Sequence, residues 1–322
     1  MSQSHRSPLG RALVIANPAA RSGKGAEGAA FAERFLGSFS SASAGFEVRR
    51  TQAAGDAEHL ARKAHAEGFD TVITLGGDGV IHETVNGLMA LPERERPCLA
   101  VLPLGTGNDF GRTLGMALND VEGALAQIIR GQVCTYDIGH VNGVYFMETL
   151  SFGLDAAIAH DTTARRAADT SQHGENLYVT SGLKIFARAR KGWKASVSLD
   201  GESPLELPTL IFAVQLGPTY GGGFPICPDA RPDDGVFDIC MNVKRPLMPH
   251  IMALFAMARS GRHVNSSVIK IAQAKRIAIH FETEPPAQAD GEWLEPVHDY
   301  SIEIVPRGLR VIAPDSRTSQ QA

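Results

Sequence analysis

The run TLGGDGVIHETVNGLM, Thr74 to Met89, sets one carboxylate, Asp78, among Gly76, Gly77 and Gly79, where an apolar strand pattern gives way to a helical one. An aspartate at that point can cap the helix that follows, a contribution of roughly 0.5–2 kcal/mol. Val80, Ile81, Val85 and Leu88 would then form the helix's buried face. A cap needs one acid and one glycine at most, not three. Glycines also let another group approach bare backbone, and strand C-terminal ends are where open α/β sheets bind ligands. A phosphate is the ligand this favours. The helix N-terminus would stabilise its negative charge, and Asp78 would act through a bound Mg²⁺, since a naked carboxylate repels phosphate.

A second loop, PLGTGNDFGRTLG from Pro103, repeats the design: an apolar strand, then Gly105, Thr106, Gly107, Asn108 and Asp109, then a helix start. Either loop alone is a weak signal; together at one sheet edge they point to a nucleotide phosphate site. Three other motifs fail. Gly23-Lys24 is followed by Gly25 and lacks the earlier glycine of a Walker A loop. Gly105-Thr106-Gly107 is followed by glycine only at Gly111, which breaks the G-x-G-x-x-G spacing, and His82-Glu83 leads to Asn86 where a zinc helix needs histidine. His82 alone reads as a helix-surface residue.

The elements that must position these loops alternate through the first 130 or so residues. RALVIA from Arg11, FEVRRT from Phe46, TVITL from Thr71 and CLAVLPL from Cys98 read as strands. Helical patterns stand near Gly25 to Leu36, from Asp56 to Ala66, after Gly79, and after an Asp120 cap up to Gly131. Such alternation predicts a Rossmann-like α/β domain with a parallel sheet, residues 1–134. The pattern then changes. Asn142-Gly143 is a hairpin signal, and WKASVSLD, TLIFAVQL, VFDICMNV, SVIKIA and RIAIHF read as strands. A mainly antiparallel β-sandwich follows over 135–314, with helical interruptions around Ala156 to Lys191 and Pro246 to Arg259. SIEIVP and LRVIAP close it, with the option of returning to the first domain, and 315–322 reads as a mobile tail.

The 322 residues carry a formal net charge of −4, which gives no reason to expect nucleic acid as a partner. Cys98, Cys134, Cys227 and Cys240 are scattered without C-x-x-C spacing, which fits a reducing cytoplasm. The start MSQSHRSPLG lacks a signal-peptide core, and IMALFAMA from Ile251, too short to span a bilayer, reads as core rather than anchor.

With both glycine loops in place, the sequence resembles the diacylglycerol kinase catalytic family, the group of bacterial soluble lipid kinases and of sphingosine and ceramide kinases. NPAARSGKG from Asn17, Thr51 ahead of GDAEHLA, YGGGFPICPDARPDDGVFDI from Tyr220 and QADGE from Gln288 follow in the family's order. GGDG is shared with NAD kinases; GGDG, GTGNDF and QADGE together are specific. The resemblance implies an ATP- and Mg²⁺-dependent lipid kinase. Asn17, Thr51, the Gly76–His82 loop (Gly76, Gly77, Asp78, Gly79, Val80, Ile81, His82), Gly105, Thr106 and Asn108 would hold ATP. Glu292 would be the general base with Asp290 beside it, and Asp78 and Asp109 would organise Mg²⁺ and water. A second, structural Mg²⁺ would sit on the Asp234 side chain and the carbonyls of Arg231 and Val236.

Read without the resemblance, Asp290-Gly291 is an ordinary turn and Asp233-Asp234-Gly235 a hairpin. Val80 stands for the family's usual Thr and His82 for its Asn, which implies weaker nucleotide affinity, and the Asn17 loop is about two residues longer than usual. Between Arg165 and Lys194, seven Lys or Arg and two acids alternate with Leu183, Phe186 and Trp193. This stretch suits peripheral contact with an anionic membrane at the inner face, or simply a solvated charged helix. A diacylglycerol-, phosphatidylglycerol- or sphingoid-like acceptor is expected, and exposed strands allow a homodimer. Alternatives are a kinase for a soluble acceptor such as NAD and a non-catalytic nucleotide- or lipid-binding regulator.

Overall fold

The computed structural model describes residues 9–38, 44–167 and 192–314. It divides into two compact units, 1–137 with 306–322, and 138–305. The sequence reading put the boundary at 134 and left 306–314 with the second domain.

The first unit runs β1 (Ala12–Ala16), α1 (Lys24–Ser38), β2 (Phe46–Arg50), α2 (Asp56–Ala64), β3 (Thr71–Gly76), α3 (Asp78–Met89), β4 (Cys98–Pro103), α4 (Asp109–Thr113) and α5 (Val121–Arg130). Every residue of β1, β3 and β4 is buried, as expected for parallel strands covered on both faces. The order is β2-β1-β3-β4, all parallel. A fifth strand from the chain's end pairs parallel to β4, Val311 opposite Leu99, so the closing segment does return to this sheet. Asp120 caps α5 as predicted, its Oδ1 accepting the Gly123 N–H at 3.0 Å.

The remaining elements are β5 (Gln132–Val141), β6 (Val144–Phe146), β7 (Thr149–Gly153), α6 (Leu154–Ala167), β8 (Trp193–Leu199), β9 (Leu205–Thr209), β10 (Ile211–Gln215), β11 (Thr219–Tyr220), β12 (Phe224–Pro225), β13 (Phe237–Asn242), α7 (Met248–Ala258), β14 (Ile269–Ala274), β15 (Arg276–Phe281), β16 (Ala287–Ala289), β17 (Glu292–Leu294) and β18 (Asp299–Ala313). Strands β5 and β18 each span the division between the units. In the second unit one antiparallel sheet has the order β14-β13-β10-β7-β16-β17, and the other places β18, β15, β8 and β9 side by side. Their facing side chains form one core, in which Phe152 contacts Phe212, Phe281 and Tyr300. This is the expected α/β domain followed by a β-sandwich. The Asn142-Gly143 turn has φ of 45° and 94°, the type I′ geometry that joins twisted strands.

Residues 168–191, most of the basic stretch from Arg165 to Lys194, lie outside the described residues. Lys194 at its end is exposed and pairs with Glu282 at 3.2 Å. No disulfide joins the four cysteines. Among the described residues no helix is long and apolar enough to cross a membrane.

Candidate active site

In the first unit the strand order reverses between β1 and β3, because the chain leaves β1 for β2 on one side and β3 lies on the other. Open α/β sheets bind ligands at that switch point, beyond the strands' C-terminal ends. Asn17 follows β1 there, and its N–H donates to the Leu75 carbonyl at 2.8 Å, joining the first loop to the second. Its Oδ1 accepts the Ala19 N–H at 3.0 Å, folding the loop back on itself. Thr51, just after β2, donates its N–H to the Ala16 carbonyl at 2.9 Å. Arg21 and Ser22 in the first loop both have positive φ, 47° and 57°, a backbone uncommon for non-glycine residues.

The glycines serve contact between the loops before anything else. A Cβ on Gly105 would lie 2.6 Å from the Cα of Gly77, so these two loops meet backbone to backbone. Asp78 does not cap α3, contrary to the simple structural reading. Gly77 holds the cap position with no side-chain bond, and Asp78 turns away to accept the Asn108 N–H on its Oδ2 at 2.8 Å. A Cβ on Gly107 would be 2.7 Å from Asp78 Oδ2 and 3.3 Å from Asp109 Oδ2. Two carboxylates thus flank one bare glycine, the hard oxygen donors that a Mg²⁺ requires.

The expected nucleotide residues divide by exposure. Thr106 is exposed and Asn17, Thr51, Gly77, Gly79 and Gly105 are partly so. Ile81 is wholly buried, and its N–H donates to the Gly77 carbonyl, so its role is to anchor the loop. Val80 is buried against Gly76. Asn108 is 1% exposed, and its Nδ2 donates to the Gly105 carbonyl at 3.1 Å and to Asn119 Oδ1 at 3.3 Å; it shapes the loop from inside. His82 is buried, not on the helix surface as the sequence suggested. It sits within 3.3 Å of Asn86, one helical turn on. Asn119, which the sequence reading did not select, fixes Asn108 and donates its N–H to the Pro103 carbonyl at 2.8 Å.

In the second unit Asp290 and Gly291 make a two-residue turn between β16 and β17, with φ of 52° and 91°. The turn reading and the functional one are compatible. Asp290 is buried, and its carboxylate accepts the N–H of Met147 at 3.1 Å, of Glu148 at 3.0 Å and of Thr149 at 3.1 Å. Gln288 Oε1 accepts the Gly291 N–H at 2.6 Å, and its Nε2 donates to Ser151 Oγ. Glu292, opposite Ala289, leaves this braced hairpin exposed to solvent. Bracing of this kind positions the Glu292 carboxylate.

Asp234 is exposed in the turn before β13, where its Oδ1 accepts the Val236 N–H at 3.3 Å; Arg231 pairs with Asp233 at 3.4 Å. Burial raises the Asp238 carboxyl above its ordinary range, and the charges of Asp234 and Asp229 add to this. The Asp234 carboxylate and the backbone carbonyls of this turn are oxygen donors of the type a divalent cation takes. Among the described residues no three His, Cys, Asp or Glu side chains form a metal cluster, and the expected ligand set contains only one carboxylate.

Comparison with known proteins places this geometry. The sequence profile described as "Diacylglycerol kinase catalytic domain" matches residues 11–141, and the one described as "YegS C-terminal NAD kinase beta sandwich-like domain" matches 148–313. A diacylglycerol kinase of Bacillus subtilis is 31% identical over 279 residues, 86% of this chain and 89% of that one. One of Staphylococcus aureus is 32% identical over 284 residues, 86% of each. The crystal structure of a diacylglycerol kinase from Bacillus anthracis superposes with a TM-score of 0.74 at 25% identity, covering 97% of this chain and 100% of that one. An NAD kinase from Archaeoglobus fulgidus, solved in complex with ATP, shares the fold at 14% identity and a TM-score of 0.51, covering 97% of each chain. With the two glycine loops tied by Asp78 and similarity to diacylglycerol kinases over 86% of its length, the chain belongs to the diacylglycerol kinase family and is a lipid kinase.

Proposed function

We propose that this lipid kinase transfers the γ-phosphate of ATP to a hydroxyl of a diacylglycerol-, phosphatidylglycerol- or sphingoid-like lipid, with Mg²⁺, in the cytoplasm at the inner membrane face. The observation that carries the metal-dependent part is the meeting of the Asp78 and Asp109 carboxylates at Gly107, next to the bare backbone of Gly77 and Gly105. Phosphoryl transfer is mainly positioning and charge neutralisation. Bound Mg²⁺ supplies neutralisation of the phosphate oxygens. The chain's own part is to present N–H groups and Thr106 to the phosphates and hold two acids beside them.

Glu292 receives the proton of the attacking hydroxyl in this reading. Asp290 touches no reactant. It holds the hairpin from which Glu292 projects, and is a positioning residue. Asp234 with the carbonyls of Arg231 and Val236 holds the second Mg²⁺, fixing the turn into β13.

Separated lipid classes offered with γ-labelled ATP and Mg²⁺ test the acceptor. Label in one glycerolipid or sphingoid class, undiminished by excess NAD, supports the reading. Label transferred to NAD, or ATP binding with no labelled lipid in any class, contradicts it.

A further inference from the structure

From Ile239 to Phe281 the sequence has no aspartate or glutamate and seven lysines or arginines. Helix α7 lies in the middle of this acid-free run, and its sequence MPHIMALFAMA contains no Asp, Glu, Lys or Arg. Such a helix is apolar all round, and a helix of that kind normally has both faces covered.

Among the described residues only one face is covered. Ile251, Leu254 and Ala258, at helical spacing, are buried; Leu254 and Ala258 pack on Ala213, Cys240 and Ile269 of the sheet, and Ile251 joins Leu154, Ile158 and Leu210. The opposite face carries Met252, Ala253 and Ala256, all exposed, and Leu247 at the helix start is 69% exposed. The sequence reading of IMALFAMA as core therefore holds for one face alone. Exposed cations stand at both ends, Lys244 and Arg245 before the helix, Arg259 and Arg262 after it.

An apolar stripe between cationic ends matches a bilayer with anionic headgroups: apolar side chains enter the acyl boundary while Lys and Arg stay at the phosphates. Eleven helical residues are too few to cross the bilayer, so the helix would lie in its surface. We propose that Leu247, Met252, Ala253 and Ala256, with Lys244, Arg245, Arg259 and Arg262, dock this unit on an anionic membrane. The surface shares no residue with the glycine loops or with the Asp290 hairpin. Its purpose rests on the lipid-kinase reading, but its binding does not require turnover.

Full-length protein is sedimented with vesicles of phosphatidylcholine alone and of phosphatidylcholine mixed with phosphatidylglycerol, in low and high salt. Binding to the anionic vesicles only, weakened by salt, is expected. Lys244→Glu with Arg245→Glu should weaken it at least about tenfold, since each basic residue near such a surface contributes about a fivefold gain. Leu247→Glu with Met252→Glu should abolish it, while phosphorylation of a short-chain, water-soluble diacylglycerol stays unchanged. Equal binding to neutral vesicles, or wild-type sedimentation of both double variants, overturns the proposal. So does a change in oligomeric state on Leu247→Glu with Met252→Glu without loss of vesicle binding, which would make the face a contact between copies. Vesicle binding without phosphorylation of any lipid would leave the docking surface standing and remove the kinase reading.

Discussion

Asp78 Oδ2 accepts the backbone N–H of Asn108 at 2.8 Å, so a carboxylate from the loop after β3 fixes the loop after β4. The same oxygen borders Gly107, beside which Asp109 stands. One side chain therefore has two roles, holding the loops together and presenting charge.

Asp78→Asn separates these roles. The amide oxygen can still accept the Asn108 N–H, so the loss of stability should be no more than about 1 kcal/mol, the difference between a charged and a neutral acceptor. Turnover should fall by about 10² to 10³, the range for removing one electrostatic contributor. Thermal melting and steady-state rates check this pair of outcomes.

Asp290 and Glu292 should behave in opposite ways. Asp290→Asn leaves one of three buried N–H groups, from Met147, Glu148 and Thr149, without its carboxylate oxygen. A loss of about 1–3 kcal/mol in denaturant unfolding is expected, with activity falling as the hairpin loosens. Glu292→Gln, at an exposed position, should leave unfolding unchanged and lower kcat by about 10² to 10⁴. Equal destabilisation by the two substitutions would remove the distinction between positioning residue and base.

Gly105→Ala tests the backbone contact between the loops. The added methyl would lie 2.6 Å from the Gly77 Cα and 2.7 Å from Asn108 Oδ1. Overpacking of this kind costs about 1–3 kcal/mol. A lower Tm and a raised KM for ATP should appear together; an unchanged KM would show that the contact does not shape the nucleotide loop.

Asp155 predicts a pH dependence of stability. Burial pushes its carboxyl up to about 6 from 3.8, with bonds from Ser151, Ala156 and Tyr220 opposing the rise. The folded chain keeps this proton to higher pH than the unfolded chain, so the stability it gives is full below about pH 4. That stability is lost as pH rises through about 6, by about 3 kcal/mol in all. Asp155→Asn should flatten this fall in urea unfolding between those limits, whereas an unchanged slope would assign it to other groups.

The glycine loops were legible because strand, turn and helix follow one another within a few residues, and Asp120 could be read as a cap for the same reason. Asp290's role was not, because its partners at Met147, Glu148 and Thr149 lie 141–143 residues away in sequence. His82 was misread because helical spacing alone does not show how much of α3 the rest of the fold buries. Asp78's bond to Asn108 likewise depends on β3 and β4 being neighbours, which pattern suggests but register decides. Helix α7 has an apolar sequence on every face, and only packing shows which face is left to solvent.

The most direct test of the central claim is transfer of γ-label from ATP to diacylglycerol by purified wild type, Asp78→Asn and Glu292→Gln, with and without Mg²⁺. Labelled lipid from wild type with Mg²⁺, and only trace label from either variant or without the metal, is the predicted result. Equal labelling by all three proteins would contradict it.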